Sequence, residues 1–124
     1  MTMQLPDNLL YRGKEYRMRG YPLNDYFAQS GIANPFGDES RGRTSLCWNG
    51  YVAAWSVEDG RLYLKEIRDI HGKGEDVLNL ETVFPGHPDG VFAYWYSGTI
   101  TPSPNIHGWD FNLVFRDGIL ISEK

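Results

Sequence analysis

Apolar and polar residues alternate in short runs along most of this chain, and glycine-containing pairs interrupt the runs at hairpin spacing. Leu9 to Met18 reads as two short strands around Gly13-Lys14, where a glycine at the first loop position suits a type II′ turn. From Tyr21 to Ser30 the period changes. Pro22 opens a helix, Leu23, Tyr26 and Phe27 fall on one face at i, i+3, i+4, and Gly31 ends it. Asn34 to Arg43 has no period and reads as loop.

The middle carries the strongest turn signals. Strands Arg43–Trp48, Tyr51–Val57 and Arg61–Ile67 are separated by Asn49-Gly50 and Asp59-Gly60, pairs that accept positive φ at both central positions. This predicts a three-stranded meander. Alternation places Tyr51, Ala53, Trp55 and Val57 on one face, and sets Leu62, Leu64 and Glu66 against Tyr63, Lys65 and Ile67. The small residues Ala53 and Ala54 leave room for something large to lie across the second strand. After a loop at Ile70–Gly74, Asp76 is placed to cap a second short helix with Val77, Leu80, Val83 and Phe84 on its apolar stripe.

Val91 to Ile100 reads as one long strand, with Phe92, Tyr94 and Tyr96 on one face and Val91, Ala93 and Trp95 on the other. Thr101 to Gly108, with Pro102 and Pro104, reads as loop. Trp109, Phe111, Leu113 and Phe115 alternate as a half-buried strand, and Asp117-Gly118 turns it into Ile119–Ser122. The expected fold is a single β-rich α+β domain over 1–124. Its core is one antiparallel twisted sheet, or a partly open barrel, of about seven or eight strands joined by tight hairpins, with two short helices.

Composition adds bounds on function. The 124 residues are 41% hydrophobic, 15% aromatic and 23% charged, a globular balance with an aromatic excess. Net charge is −4 and the pI about 5.3, the opposite of a duplex nucleic-acid binder. Arg12, Lys14, Arg17, Arg19, Arg41 and Arg43 form a local basic strip, read here as solvated strand faces and loop ends. The lone Cys47 allows no internal disulfide. With no secretory pattern at the start and no apolar run long enough to span a bilayer, the expected location is the cytoplasm.

Candidate chemistry is sparse. His71, His87 and His107 fall in loops without the i, i+2 or i, i+4 spacing that turns two imidazoles toward one ion. Cys47 beside Trp48 reads as a small strand hydrophobe. Ser97-Gly98 lacks the frame of a nucleophile elbow, and Gly72-Lys73-Gly74 lacks that of a phosphate loop. Glu66 and Asp69 bracket a strand end, and Glu75-Asp76 caps a helix. An opposed acid pair across a cleft is left open, because spacing in sequence does not give their separation. No cofactor or metal is expected. The aromatics carry more weight: Tyr94, Trp95, Tyr96 and Trp109 are the candidate partner-binding residues, on the expectation that the Tyr94/Tyr96 face stays exposed.

The run Gly50 to Leu64 (GYVAAWSVEDGRLYL) and the run Phe92 to Thr99 (FAYWYSGT) together resemble a signature of a family of short uncharacterised bacterial proteins, and Tyr11–Tyr16 is similar to that family too. The stretches cover about a quarter of the chain. The resemblance implies a small bacterial protein and carries over no activity and no site residues. The reading that follows is a protein-binding module, immunity- or inhibitor-like, with a heterologous or self partner and no membrane. The alternative from another class is a small hydrolase or small-molecule-binding protein with a pocket between sheet and helices. Stacking on single-stranded nucleic acid or sugar is a third.

Overall fold

Three two-residue turns set the hairpins. Both central residues have positive φ at Arg12–Gly13 (52° and 78°), Asp59–Gly60 (54° and 73°) and Asp117–Gly118 (52° and 80°). This is the type I′ geometry, whose twist matches that of the strands it joins. The first turn corrects the sequence reading: Tyr11 pairs with Lys14, so the loop is Arg12–Gly13 and is type I′ rather than II′.

The computed structural model describes residues 6–32, 34–35, 50–70, 78–103 and 112–123. The expected strand Arg43–Trp48, and with it the first limb of the meander, lies outside them. The strands are β1 (Asp7–Tyr11), β2 (Lys14–Arg19), β3 (Tyr51–Glu58), β4 (Arg61–Asp69), β5 (Val91–Phe92), β6 (Gly98–Ser103), β7 (Leu113–Arg116) and β8 (Ile119–Glu123), with helices α1 (Pro22–Ser30) and α2 (Leu80–Val83). They form one sheet in the order β3-β1-β2-β6-β7-β8-β4-β5, and the additional β3–β4 pairing closes seven of the strands into a barrel.

Three pairing features depart from the sequence expectation. First, β1 and β3 are parallel, with Asn8, Leu9 and Leu10 opposite Ala54, Trp55 and Ser56. The sheet is therefore mixed. The chain needs β2, α1 and the following segment to bring β3 back running the same way, as a parallel pair requires. Second, the register of β3 against β4 jumps between Ala54↔Glu66 and Trp55↔Leu64, leaving Lys65 as the bulged residue. A bulge inverts the alternation. Ile67 accordingly joins Leu62 and Leu64 in the core, and Lys65 and Glu66 are both exposed. Third, the expected strand Val91–Ile100 is broken into β5 and β6, and β6 continues to Ser103 through the start of the expected loop.

The interior is filled by Leu9, Met18, Tyr51, Trp55, Leu62, Leu64, Ile100, Leu113 and Phe115, each at most 2% exposed. In β1 the alternation is clean: Asp7, Leu9 and Tyr11 are buried, Asn8 and Leu10 exposed. Helix α1 begins at Pro22 and ends at Gly31, whose φ of 74° lets its N–H reach the Phe27 carbonyl. It lays Leu23 and Phe27 on the core. Helix α2 is a single turn capped by Asn79, whose side chain accepts from the Glu81 N–H while Thr82 Oγ1 accepts from the Asn79 N–H; the expected cap Asp76 lies outside the described residues.

Candidate functional site

The backbone between β5 and β6 turns at Tyr94–Trp95, and that turn decides where the candidate aromatics go. The Ala93 N–H donates to Leu62 O (2.8 Å) and the Tyr96 N–H to Ala93 O (3.1 Å), so this segment folds against β4 instead of extending. Tyr94 and Tyr96 consequently do not share an exposed face. Tyr94 is 59% exposed, whereas Trp95 and Tyr96 are 8% and 5% exposed and belong to the core. Trp109 lies outside the described residues. Of the four, Tyr94 alone is placed on the surface among the described residues.

Trp95 and Tyr96 have internal roles that account for their identity. Trp95 Nε1 donates to the Pro22 carbonyl at 2.7 Å, and Gln29 Nε2 donates to the Trp95 carbonyl at 3.0 Å, which fastens α1 to the barrel. The Trp95 ring stacks on Phe84 (5.6 Å, 11°) and lies 4.9 Å from Tyr26. Those rings pack together between α1, α2 and the sheet. The Tyr96 hydroxyl donates to Thr99 O, and burial followed by the Asp25 charge raises its pKa to about 12. Ala93 and Tyr96 also hold the β7–β8 turn. The Gly118 N–H donates to Tyr96 O at 2.8 Å, and a Cβ on Gly118 would stand 2.5 Å from Ala93 O.

A buried carboxyl is the feature that sequence reasoning missed. Asp7 has 0% exposure inside the barrel. Its oxygens accept from the Ala53 N–H and from Trp55 Nε1, both at 3.0 Å. Burial outweighs those two bonds and raises its pKa to about 7. Both bonded oxygens point into the protein, so the group serves the packing of β1 against β3 and does not face a substrate. The sequence signal was present: alternation through Leu9 and Tyr11 puts Asp7 on the inward face.

His87 is exposed, and His71, His107, Cys47 and Glu75-Asp76 lie outside the described residues. Asp69 Oδ2 accepts from the Leu78 N–H at 2.8 Å. Among the described residues no three His, Cys, Asp or Glu side chains are grouped as metal ligands, and no helix is long and apolar enough to cross a membrane.

The outer face of β2-β1-β3-β4 offers two adjoining depressions. Val52, Ala54 and Ser56 point outward from β3 and form a low floor between longer side chains. The larger depression is a groove of about 640 Å³, lined by Leu10, Ala54, Ser56 and Val57 with Glu58 and Lys65 at its rim. Leu10 is 43% exposed there. The bulge at Lys65 lets its Nζ reach Glu58 Oε2 (3.1 Å) and Asp89 O (3.2 Å). This Lys65 contact, followed by the Ser56 hydrogen bond, lowers the Glu58 pKa. At the other end Arg12 pairs with Glu123 at 3.1 Å, and the same carboxylate accepts from the Tyr11 hydroxyl at 2.7 Å. The smaller depression, about 180 Å³, is lined by Pro6, Asn8, Arg17, Val52 and Arg68. No protein-family model, no curated protein and no solved structure matches this chain.

Proposed function

We propose that the chain is a small cytoplasmic protein-binding module, immunity- or inhibitor-like, that receives its partner on the outer face of β2-β1-β3-β4. The observation that carries this reading is the groove along β3, with exposed apolar surface at Leu10 over the low Ala54 floor and a charged rim that includes the Lys65–Glu58 and Arg12–Glu123 pairs. An apolar centre inside a polar rim is the layout of protein contact sites. Glu58 is held by Lys65 and Arg12 by Glu123, while Glu15, with no ion pair among the described residues, leaves a carboxylate on the same rim for a basic partner to meet. The net charge of −4 steers the module toward partners with basic surfaces. The likeness of Gly50–Leu64 and Phe92–Thr99 to a family of short bacterial proteins supports a bacterial origin.

The test is retention of a partner by the immobilised chain and by Ala54→Arg, which fills the floor of the groove while staying half exposed. The expected result is one protein from a bacterial extract, bound by the native chain and weakened by at least about 30-fold in the variant, the loss typical of a central interface residue. Equal retention by both chains, or no retention by a native chain that sediments as a monomer, overturns the reading.

A further inference from the structure

The smaller depression joins residues that are far apart in sequence. On the outer face Arg17 stands opposite Asn8 across the β1–β2 ladder, and Arg68 stands opposite Val52 across the β3–β4 ladder. Asn8 itself stands opposite Ala54 in the parallel pair. Arg17 and Arg68 therefore approach one cleft from its two sides, over a floor made by Val52. Three strand spacings, about 14 Å, separate β2 from β4, and Arg68 lies one side-chain row along from the Arg17–Asn8–Ala54 row, so the two guanidinium groups flank the cleft with room for a ligand between them.

Neither guanidinium group has an ion-pair partner among the described residues. Among the described residues, Arg12 is paired with Glu123, Lys65 with Glu58, and Arg61 lies over the Phe92 ring at 5.9 Å. Arg17 and Arg68 have no ion pair there, and none of the described residues lining their cleft is a carboxylate. Two cations lining one cleft without a counter-ion place positive potential there, and a ligand carrying two negative charges neutralises both. A carboxylate would neutralise only one of them. Each planar guanidinium offers parallel N–H donors to oxyanion oxygens, and the Asn8 carboxamide adds a neutral donor. The chain as a whole carries −4, so general attraction of anions does not account for a bound one.

We propose that Arg17, Arg68 and Asn8 form a binding site for the dianion of a phosphate monoester. The site adjoins the groove on the same face but does not rest on the protein-binding reading, and its test needs no partner protein. The experiment titrates the native chain at pH 7.5 with inorganic phosphate, following backbone amide shifts. The titration is repeated with acetate, ribose 5-phosphate and a phosphoserine peptide. Saturable shifts confined to Asn8, Arg17, Val52 and Arg68 are expected, with a Kd on the order of 1 mM for inorganic phosphate. Arg17→Gln and Arg68→Gln should each weaken it about 10-fold or more, as loss of one charge-assisted contact predicts, while Arg61→Gln leaves it unchanged. Both arginines are exposed, and the thermal melt of each variant verifies its fold. Ribose 5-phosphate and the phosphopeptide both present the dianion, and the tighter of the two identifies its source. Absence of saturation by 20-fold above that Kd, equal binding by the double variant, acetate binding as tightly as phosphate, or failure of both monoesters would each overturn the proposal.

Discussion

Replacing Asp7 by asparagine tests the strongest electrostatic conflict in the barrel. In the folded protein the carboxyl is fully buried and titrates near 7 instead of 3.8. In the unfolded chain it is solvated and titrates near its ordinary value. Below pH 3.8 both states are protonated, and Asp7 gives no pH dependence. Between 3.8 and 7 the unfolded chain releases its proton while the folded chain keeps it, so the folded state binds more protons and stability falls as pH rises. Above 7 both are ionised and the penalty is constant. At 1.36 kcal/mol for each pH unit between the two values, the full penalty is about 4 kcal/mol, a large part of a domain's total stability. Asparagine cannot ionise, so this slope disappears. Its carboxamide oxygen satisfies one of the two donors, Ala53 N–H or Trp55 Nε1, and its NH₂ group faces the other, at a cost of about 1–3 kcal/mol at every pH. The two stability curves must cross: Asp7→Asn is the less stable protein at pH 4.5 and the more stable one at pH 8. Urea melts of both proteins at pH 4.5, 6 and 8, at constant ionic strength, measure this. Taking the difference between the proteins cancels the other titrating groups, including Glu58 and Asp25. A difference that does not change with pH, or one that changes in the opposite direction, refutes the argument.

Further outcomes follow from the packing. Gly118→Ala puts a Cβ 2.5 Å from Ala93 O at a φ of 80°, and the strain plus the clash should cost about 3 kcal/mol, a fall in Tm on the order of 10 °C. Gly60→Ala has φ of 73° but open space around it, so the same melts should show only about 1–2 kcal/mol of loss. Trp95→Phe strands the Pro22 carbonyl and thins the stack on Phe84. Denaturant melts should show about 3 kcal/mol of destabilisation. Tyr94→Ala removes a ring that is 59% exposed, and stability by the same assay should stay within about 0.5 kcal/mol.

Local chemistry was legible in the sequence. Asp59-Gly60 and Asp117-Gly118 turn where their positive-φ tolerance says they should, and Leu23, Tyr26 and Phe27 form the inner face of α1. The β-rich α+β class, with a partly open barrel and two short helices, followed from such signals. What stayed hidden depends on partners distant in the chain. The parallel placement of β1 beside β3 is set by closure of the ring, not by either strand's own pattern. The bulge at Lys65 reverses the face of Ile67 without any glycine to mark it. Val91–Ile100 has the alternation of a strand, but the carbonyl of Leu62 and the Gly118 turn capture its backbone and fold it over. The candidate site suffered most from this. Strand alternation assigned Tyr96 to an exposed face. Arg17 appeared in a local basic strip, whereas its counterpart Arg68 lies in another part of the chain and meets it only through the order of four strands.

The join between β4 and β8 has a dynamic consequence. A single residue pair, Arg61↔Ile119, links these strands, flanked by hydrogen bonds from Leu62 N–H to Gly118 O and from Leu120 N–H to Gly60 O. The folded Ala93–Tyr96 segment acts as a gusset across the gap beside it. Opening the ring there breaks few ladder contacts, whereas parting β3 from β4 breaks eight paired positions. The seam is therefore the place where the barrel unzips first, and the amides of Leu62, Ala93, Gly118 and Leu120 should lose hydrogen-exchange protection together, as one cooperative unit.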